Sequence, residues 1–293
     1  MNITKLLGYF QATCKEYGCK NALKITLDFV GLKNYTKLKL PFINEEVSVR
    51  PDFSWFSFAA KTREVDCVKQ ILKTVKQGMV VLDIGAHVGI YTLLISKLVG
   101  EKGCVVAFEP SPQIYRRLQG NIEKNHILNI VAENIAVADY VGEVTLFNPS
   151  RGSIFRFKIV SCPQIHLHGT GSSILKQGKG EKITVKCTTL DHYCKTHNLN
   201  PDLIKIDVEG AEMHVIKGAE KTLLKYQPAV IMEFHGFEAP QKQQEMWTEI
   251  TKYAKSAKYI DGLDQRYKQG DEITSLPLND FHTLIQYKGI VDC

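Results

Sequence analysis

Runs of β-branched and apolar residues alternate along this chain with stretches whose apolar positions recur at helical spacing. Val80-Val81-Leu82-Asp83-Ile84 is one such run; it breaks at Gly85 and resumes after Gly89 as an amphipathic segment over residues 90–98. Strand, tight turn and helix in that order open a nucleotide-binding βαβ unit. Cys104-Val105-Val106-Ala107-Phe108-Glu109 is a second buried-strand run. Pro110 ends it, Ser111 is placed to cap the next helix with Pro112 at its first position, and Tyr115, Leu118 and Ile122 line one helical face. The spacing predicts further strands over 130–134, 144–147, 183–187, 203–207, 229–235, 258–263 and 282–287. It predicts helices over 64–75, ended by Gly78, over 189–197, from Ala211 through Val215, Ala219 and Leu223, and over 241–257. Strands alternating with helices in this way predict an α/β, doubly wound sheet.

Ahead of that unit the rhythm changes. Residues 1–30 mix Lys with apolar positions in a loosely helical pattern broken at Gly18 and Gly31, which predicts a helix packed on the catalytic domain or a partner chain. Peripheral contact with a membrane surface is the alternative. Residues 37–40 and 47–50 alternate with period two around 41–46 and predict a hairpin. Trp55, Phe56 and Phe58 form an aromatic patch suited to a core or to the wall of a cleft. The expected division is therefore an N-terminal helical and hairpin extension over 1–63 and a catalytic domain over 64–293. Between the strands at 144–147 and 183–187 lies a Gly-, Ser- and Lys-rich segment, 148–182, long enough to act as a lid or substrate loop.

Composition narrows the classes. A chain of 293 residues with 44% hydrophobic and 23% charged residues suits one large core with a small appendage. The net charge of +6 comes from scattered bases, and aromatic and basic residues do not interleave into a stacking platform, so nucleic acid is not an expected partner. The eight cysteines form no C-x-x-C pair, which predicts reduced thiols. Leu6-Leu7-Gly8-Tyr9-Phe10 is too short for a signal-peptide core, and no run approaches the ~20 apolar residues of a membrane span, so a cytoplasmic location is expected. His166 and His168, or His192 and His197, lack companions that would complete a metal site.

The loop after the first strand carries the chemistry. Without a Cβ, Gly85 lets a ligand approach the main chain and Gly89 lets the helix start near the strand, with helix amides facing the ligand. His87 stands where a dinucleotide fingerprint has its second glycine, which favours a ligand without phosphates. Glu109, about twenty residues after Gly89, is placed to hydrogen-bond a ribose diol. Main-chain groups over 134–137 are placed to read a nucleobase edge.

Leu82-Asp83-Ile84-Gly85-Ala86-His87-Val88-Gly89, Ala107-Phe108-Glu109-Pro110, Asn134-Ile135-Ala136-Val137, Thr188-Thr189-Leu190-Asp191 and Ile204-Lys205-Ile206-Asp207-Val208-Glu209-Gly210-Ala211-Glu212 occur in this order. Together they resemble the FkbM family of S-adenosylmethionine-dependent methyltransferases over roughly residues 78 to 235, most specifically in the last block. Gly171-Ser172-Ser173-Ile174 resembles a small-polar motif of the same family, whereas His87 stands where the family more often has Asn. The resemblance implies a class I methyltransferase sheet, mostly parallel with its last strand antiparallel, and usually O-methylation. Its cofactor residues map here onto Asp83, Gly85, Ala86, His87, Gly89, Glu109, Asn134, Ala136 and Asp207.

Methyl transfer is an in-line displacement governed by alignment, helped by a group that takes the acceptor hydroxyl's proton. Asp207, Glu233 and His235, at adjacent strand ends, are the catalytic candidates. Asp207 and Glu233 could alternatively hold a divalent ion such as Mg²⁺, a less favoured reading. The expected acceptor is a hydroxyl on a sugar, a glycan or a small metabolite. A nicotinamide-dependent oxidoreductase and a non-catalytic binding protein of the same fold are the rivals. His87 in the phosphate loop and the lack of a Tyr-x-x-x-Lys pair weigh against the first; the presence of Asp83, Glu109 and Asp207 weighs against the second.

Overall fold

A strand buried on both faces must be apolar along its whole length, and this is how the centre of the sheet is written. The computed structural model describes residues 35–40, 43, 45–50, 65–148, 158–161, 181–208, 210–234, 248, 256–260, 267–269 and 281–286. The hairpin β1 (Thr36–Lys39) and β2 (Glu46–Val49) comes first, followed by α1 (Val65–Thr74), β3 (Val80–Ile84), α2 (Ile90–Val99), β4 (Cys104–Phe108) and α3 (Pro112–Lys124). Next are β5 (Ile130–Glu133), β6 (Ala136–Val137), β7 (Gly142–Asn148), β8 (Lys158–Ser161), β9 (Glu181–Thr188), α4 (Leu190–Thr196) and β10 (Leu203–Ile206). The described elements end with α5 (Glu212–Lys217), α6 (Glu220–Tyr226), β11 (Ala229–Phe234), β12 (Ser256–Ile260), β13 (Tyr267–Gln269) and β14 (Phe281–Gln286).

The main sheet has the order β13-β12-β14-β11-β10-β3-β4-β5. From β11 to β5 every neighbour is parallel, and β14 enters antiparallel between β11 and β12. The chain order reverses between β3 and β10, so the carboxyl ends of those two strands flank the crevice where such sheets bind ligands. One face packs α1, α2 and α3 through Ile71, Leu93 and Ile114 against Val81, Val105, Leu203 and Ile231. The other packs α4, α5 and α6 through Leu190, Val215 and Leu223 against Leu82, Val106, Ile204 and Val230. Leu38, Leu40, Val47 and Val49 of the hairpin share the first of these clusters. Asn121 of α3 and Asn125, which caps that helix, fasten it, their side chains accepting from the amides of Arg50 and Ser48 at 2.8 and 2.7 Å. A second sheet, β6-β9-β7-β8, stands beside the main one.

Several elements depart from the sequence expectations. Helix α1 ends at Thr74, and Gly78 does not cap it: its φ of 82° serves a turn whose amide donates to the Val99 carbonyl. The helix expected from Ala211 onward is two helices, because the chain breaks at Gly218, where a Cβ would lie 2.0 Å from the Ala138 carbonyl oxygen. Within the expected loop 148–182, β8 pairs with β7. In the polar stretch before β14, β13 forms an edge strand on β12, and Ser256 and Ala257, expected to end a helix, begin β12. The helix expected within 1–30, Trp55, Phe56, Phe58, His166, His168, the motif at 171–174 and His235 lie outside the described residues. No helix among the described residues is long and apolar enough to cross a membrane.

Candidate functional site

The turn between β3 and α2 is held from below. The amides of Gly85 and Ala86 both donate to the Phe108 carbonyl, at 3.0 and 2.9 Å, and the Gly89 amide donates back to Ala86. The His87 amide donates to Glu109 Oε2 at 3.0 Å. These four turn donors are therefore occupied within the protein. With these four amides already bonded, that part of the turn is a poor anion cradle.

Both turn glycines are needed, though for contacts between elements. Gly85 has φ 79°, and a Cβ there would lie 1.8 Å from the backbone oxygen of Asp207; the space expected to admit a ligand is filled by the β10 tip. Gly89 caps α2 at φ 91°, and a Cβ there would meet Leu118 Cδ1 of α3 at 2.4 Å. His87 adopts φ 53°, the left-handed region, with no glycine to ease it. Ala86 is buried against Ala107 and Leu118.

Glu109 follows β4 at 5% exposure. Its Oε1 accepts from the Ser111 amide at 2.8 Å, as Oε2 does from His87. Burial pushes its carboxyl above the ordinary range, and His87 and the two amides pull it partly back. A carboxylate has about four acceptor sites, so two bonds leave capacity for a further donor. Asn134 braces the same corner, its amide nitrogen donating to the carbonyls of Glu109 and Pro110 at 2.9 and 3.0 Å. Ala136 is buried in β6, paired with Cys187.

Asp83 lies beneath the turn, fully buried. Its Oδ2 accepts from Thr92 Oγ1 of α2 at 2.6 Å, and its Oδ1 lies 3.3 Å from Lys205 Nζ, an ion pair without aligned hydrogen-bond geometry. On the other side of that ammonium is Asp207 Oδ2, at 3.5 Å, whose side chain keeps 27% exposure. Ile206 is in register with Met232, so Asp207, which follows β10, lies level with Glu233, the last residue but one of β11, toward the sheet's carboxyl edge. Beyond Asp207, Glu212 is fully buried and its Oε1 accepts from the Gly210 amide at 2.9 Å, closing the turn into α5. That is a firmer role than the helix-dipole contact its position suggests.

Lys205, Thr92 and Tyr91 were not singled out by sequence reasoning. Lys205 had a legible signal: it interrupts an otherwise apolar strand, where a charge needs a partner. Thr92 and Tyr91 had none, since their spacing on α2 does not reveal which strand residue they meet. Among the described residues no group of three or more His, Cys, Asp or Glu side chains is gathered to hold a metal ion.

The chain is similar to known proteins named as methyltransferases. The profile of the methyltransferase FkbM domain matches residues 83–260. The chain is 25% identical over 209 residues to the hexuronic acid methyltransferase AglP of Haloferax volcanii, covering 69% of this chain and 77% of that one. It is 22% identical over 190 residues to Methyltransferase 1 of Beauveria bassiana, covering 60% and 76% respectively. Among solved structures, methyltransferase FkbM from Methylobacillus flagellatus is similar with a TM-score of 0.45 at 12% identity, over 81% of this chain and 56% of that chain.

Proposed function

This chain belongs to the methyltransferase FkbM family, and on that premise we propose that it methylates a hydroxyl of a sugar, a glycan or a small metabolite with S-adenosylmethionine as donor. The observation that carries the reading is the pairing of two carboxylates on either side of the β3 turn. Glu109 is buried with acceptor capacity to spare, and Asp207 is partly exposed at the tip of the adjoining strand. Between them the turn amides of Gly85, Ala86, His87 and Gly89 are already bonded within the protein, which suits a nucleoside that carries positive charge instead of phosphate.

In this reading Glu109 accepts hydrogen bonds from the ribose diol, and Asn134 holds it in place by fixing the Glu109 carbonyl and that of Pro110 after it. Ala136 and the neighbouring main chain border the base. S-adenosylmethionine would supply a methyl group on a sulfonium, for a correctly aligned oxygen to attack in line with the thioether as leaving group. Asp207 orients the acceptor hydroxyl and takes its proton as the oxygen–carbon bond forms and the sulfur–carbon bond breaks. Glu233, near the end of β11, is the next group to test, and after it His235. The sugar class draws support from a relative whose name assigns it hexuronic acid.

The test is release of S-adenosylhomocysteine by the full chain, measured across uronic-acid glycans, neutral sugars and small hydroxylated metabolites, with binding of S-adenosylmethionine and NADH titrated in parallel. The expected result is binding of S-adenosylmethionine alone and turnover with one hydroxylated class. Binding of NADH without S-adenosylmethionine would overturn the reading.

A further inference from the structure

Lys205 is a buried cation in a strand that otherwise reads Leu-Ile-Ile. It is 3% exposed, in register with Asp83 on β3, and its Nζ stands between Asp83 Oδ1 at 3.3 Å and Asp207 Oδ2 at 3.5 Å. The Tyr91 ring of α2 lies 4.8 Å from the same nitrogen. Cys67 of α1 and Glu233 of β11 complete the titratable groups that act on it. Burial alone would disfavour the ammonium, but Asp83 and then Asp207 outweigh it, so it stays protonated well above the ordinary lysine range.

The two aspartates differ. Asp83 is fully buried and committed through Oδ2 to Thr92, so its geometry is fixed by α2. Asp207 follows the strand and keeps part of its side chain exposed. An ion pair in a core is costly to build, and an apolar residue of similar size would fill the β10 position at least as well. A cation retained there in spite of that cost has an effect on the exposed carboxylate: it sets its orientation and favours its ionised form.

We infer that Lys205 is a positioning residue for the methyl transfer, seating the Asp207 carboxylate at the β10 tip and keeping it ionised toward the acceptor hydroxyl. The inference rests on the reading of Asp207 given above. Through Asp83 and Thr92 it also links the floor of the β3 turn to the acceptor side of the crevice.

The test is the acid limb of the kcat/KM profile of the full chain with the acceptor identified by the release assay. Lys205→Gln is expected to move that limb upward by about 1–3 pH units, the range for loss of a neighbouring opposite charge. Lys205→Arg is expected to restore it toward wild type. Since Lys205→Gln leaves Asp83 buried without its cation, the double variant Asp83→Asn/Lys205→Gln, which has no unpaired charge, is measured beside it and is expected to shift the limb the same way. A folded single or double variant with the wild-type limb would overturn the inference. Asp207→Asn separates the two levels. If it loses turnover while Lys205→Gln keeps the wild-type limb, only the positioning role fails; if Asp207→Asn retains full kcat, the reading of Asp207 fails and this inference with it.

Discussion

Glu109 stands under two opposing influences that its sequence position alone does not reveal. Burial raises its carboxyl's proton affinity, while His87 and the amides of Ser111 and His87 oppose the rise without cancelling it. A group whose folded pKa lies above its unfolded value contributes most to stability below the unfolded pKa, about 4.3 for a glutamate, and loses that contribution as pH rises through the folded value. Glu109→Gln removes the titration. Whatever the constant cost of turning an amide toward an amide donor, the variant is expected to gain stability relative to wild type as pH rises from about 4 toward neutrality. Urea denaturation at several pH values measures this, and a pH-independent difference would show that Glu109 folds without perturbation.

The contact between β3 and β10 gives Gly85 its strictest demand. Its φ of 79° and the 1.8 Å that would separate a Cβ from the Asp207 oxygen leave no room for a side chain. Gly85→Ala is expected to destabilise the fold by about 1–3 kcal/mol from backbone conformation alone, with the carbonyl clash added. A normally stable variant that has lost only S-adenosylmethionine affinity would restore the ligand-approach explanation that the spacing suggests. The same contrast marks what could be read from sequence. Val80–Ile84, Cys104–Phe108, Leu203–Ile206 and the cap Ser111 were legible because burial on both faces and capping leave local signatures. The edge strand Tyr267–Gln269 and the two-residue strand Ala136–Val137 were not, since pairing partners distant in sequence define them. In the site, Glu109 and Asp207 were legible from their places at strand ends, whereas the Asp83–Lys205 pair depends on register between β3 and β10.

The hairpin extends the core beyond the sheet and its helices. Leu40 is 1% exposed and belongs to the cluster that holds α1 and α2. Asn121 of α3 accepts from Arg50 and donates to Val88 at 2.8 Å in each case, so one side chain joins the hairpin to the turn that borders the crevice. Leu40→Ala is expected to cost about 2–5 kcal/mol within a single cooperative transition. Calorimetry resolving a separate, earlier transition would instead make the hairpin an independent unit. In the whole molecule the crevice lies where strand order reverses between β3 and β10, with the proposed cofactor carboxylate on one side and the proposed acceptor carboxylate on the other. That division of labour is the central claim, and Asp207→Asn tests it most directly. With the acceptor identified, kcat is expected to fall by ~10²-fold or more, the scale of general-base assistance, while the Kd for S-adenosylmethionine stays at its wild-type value. Full kcat in the folded variant, or an equal loss of cofactor affinity, would contradict it.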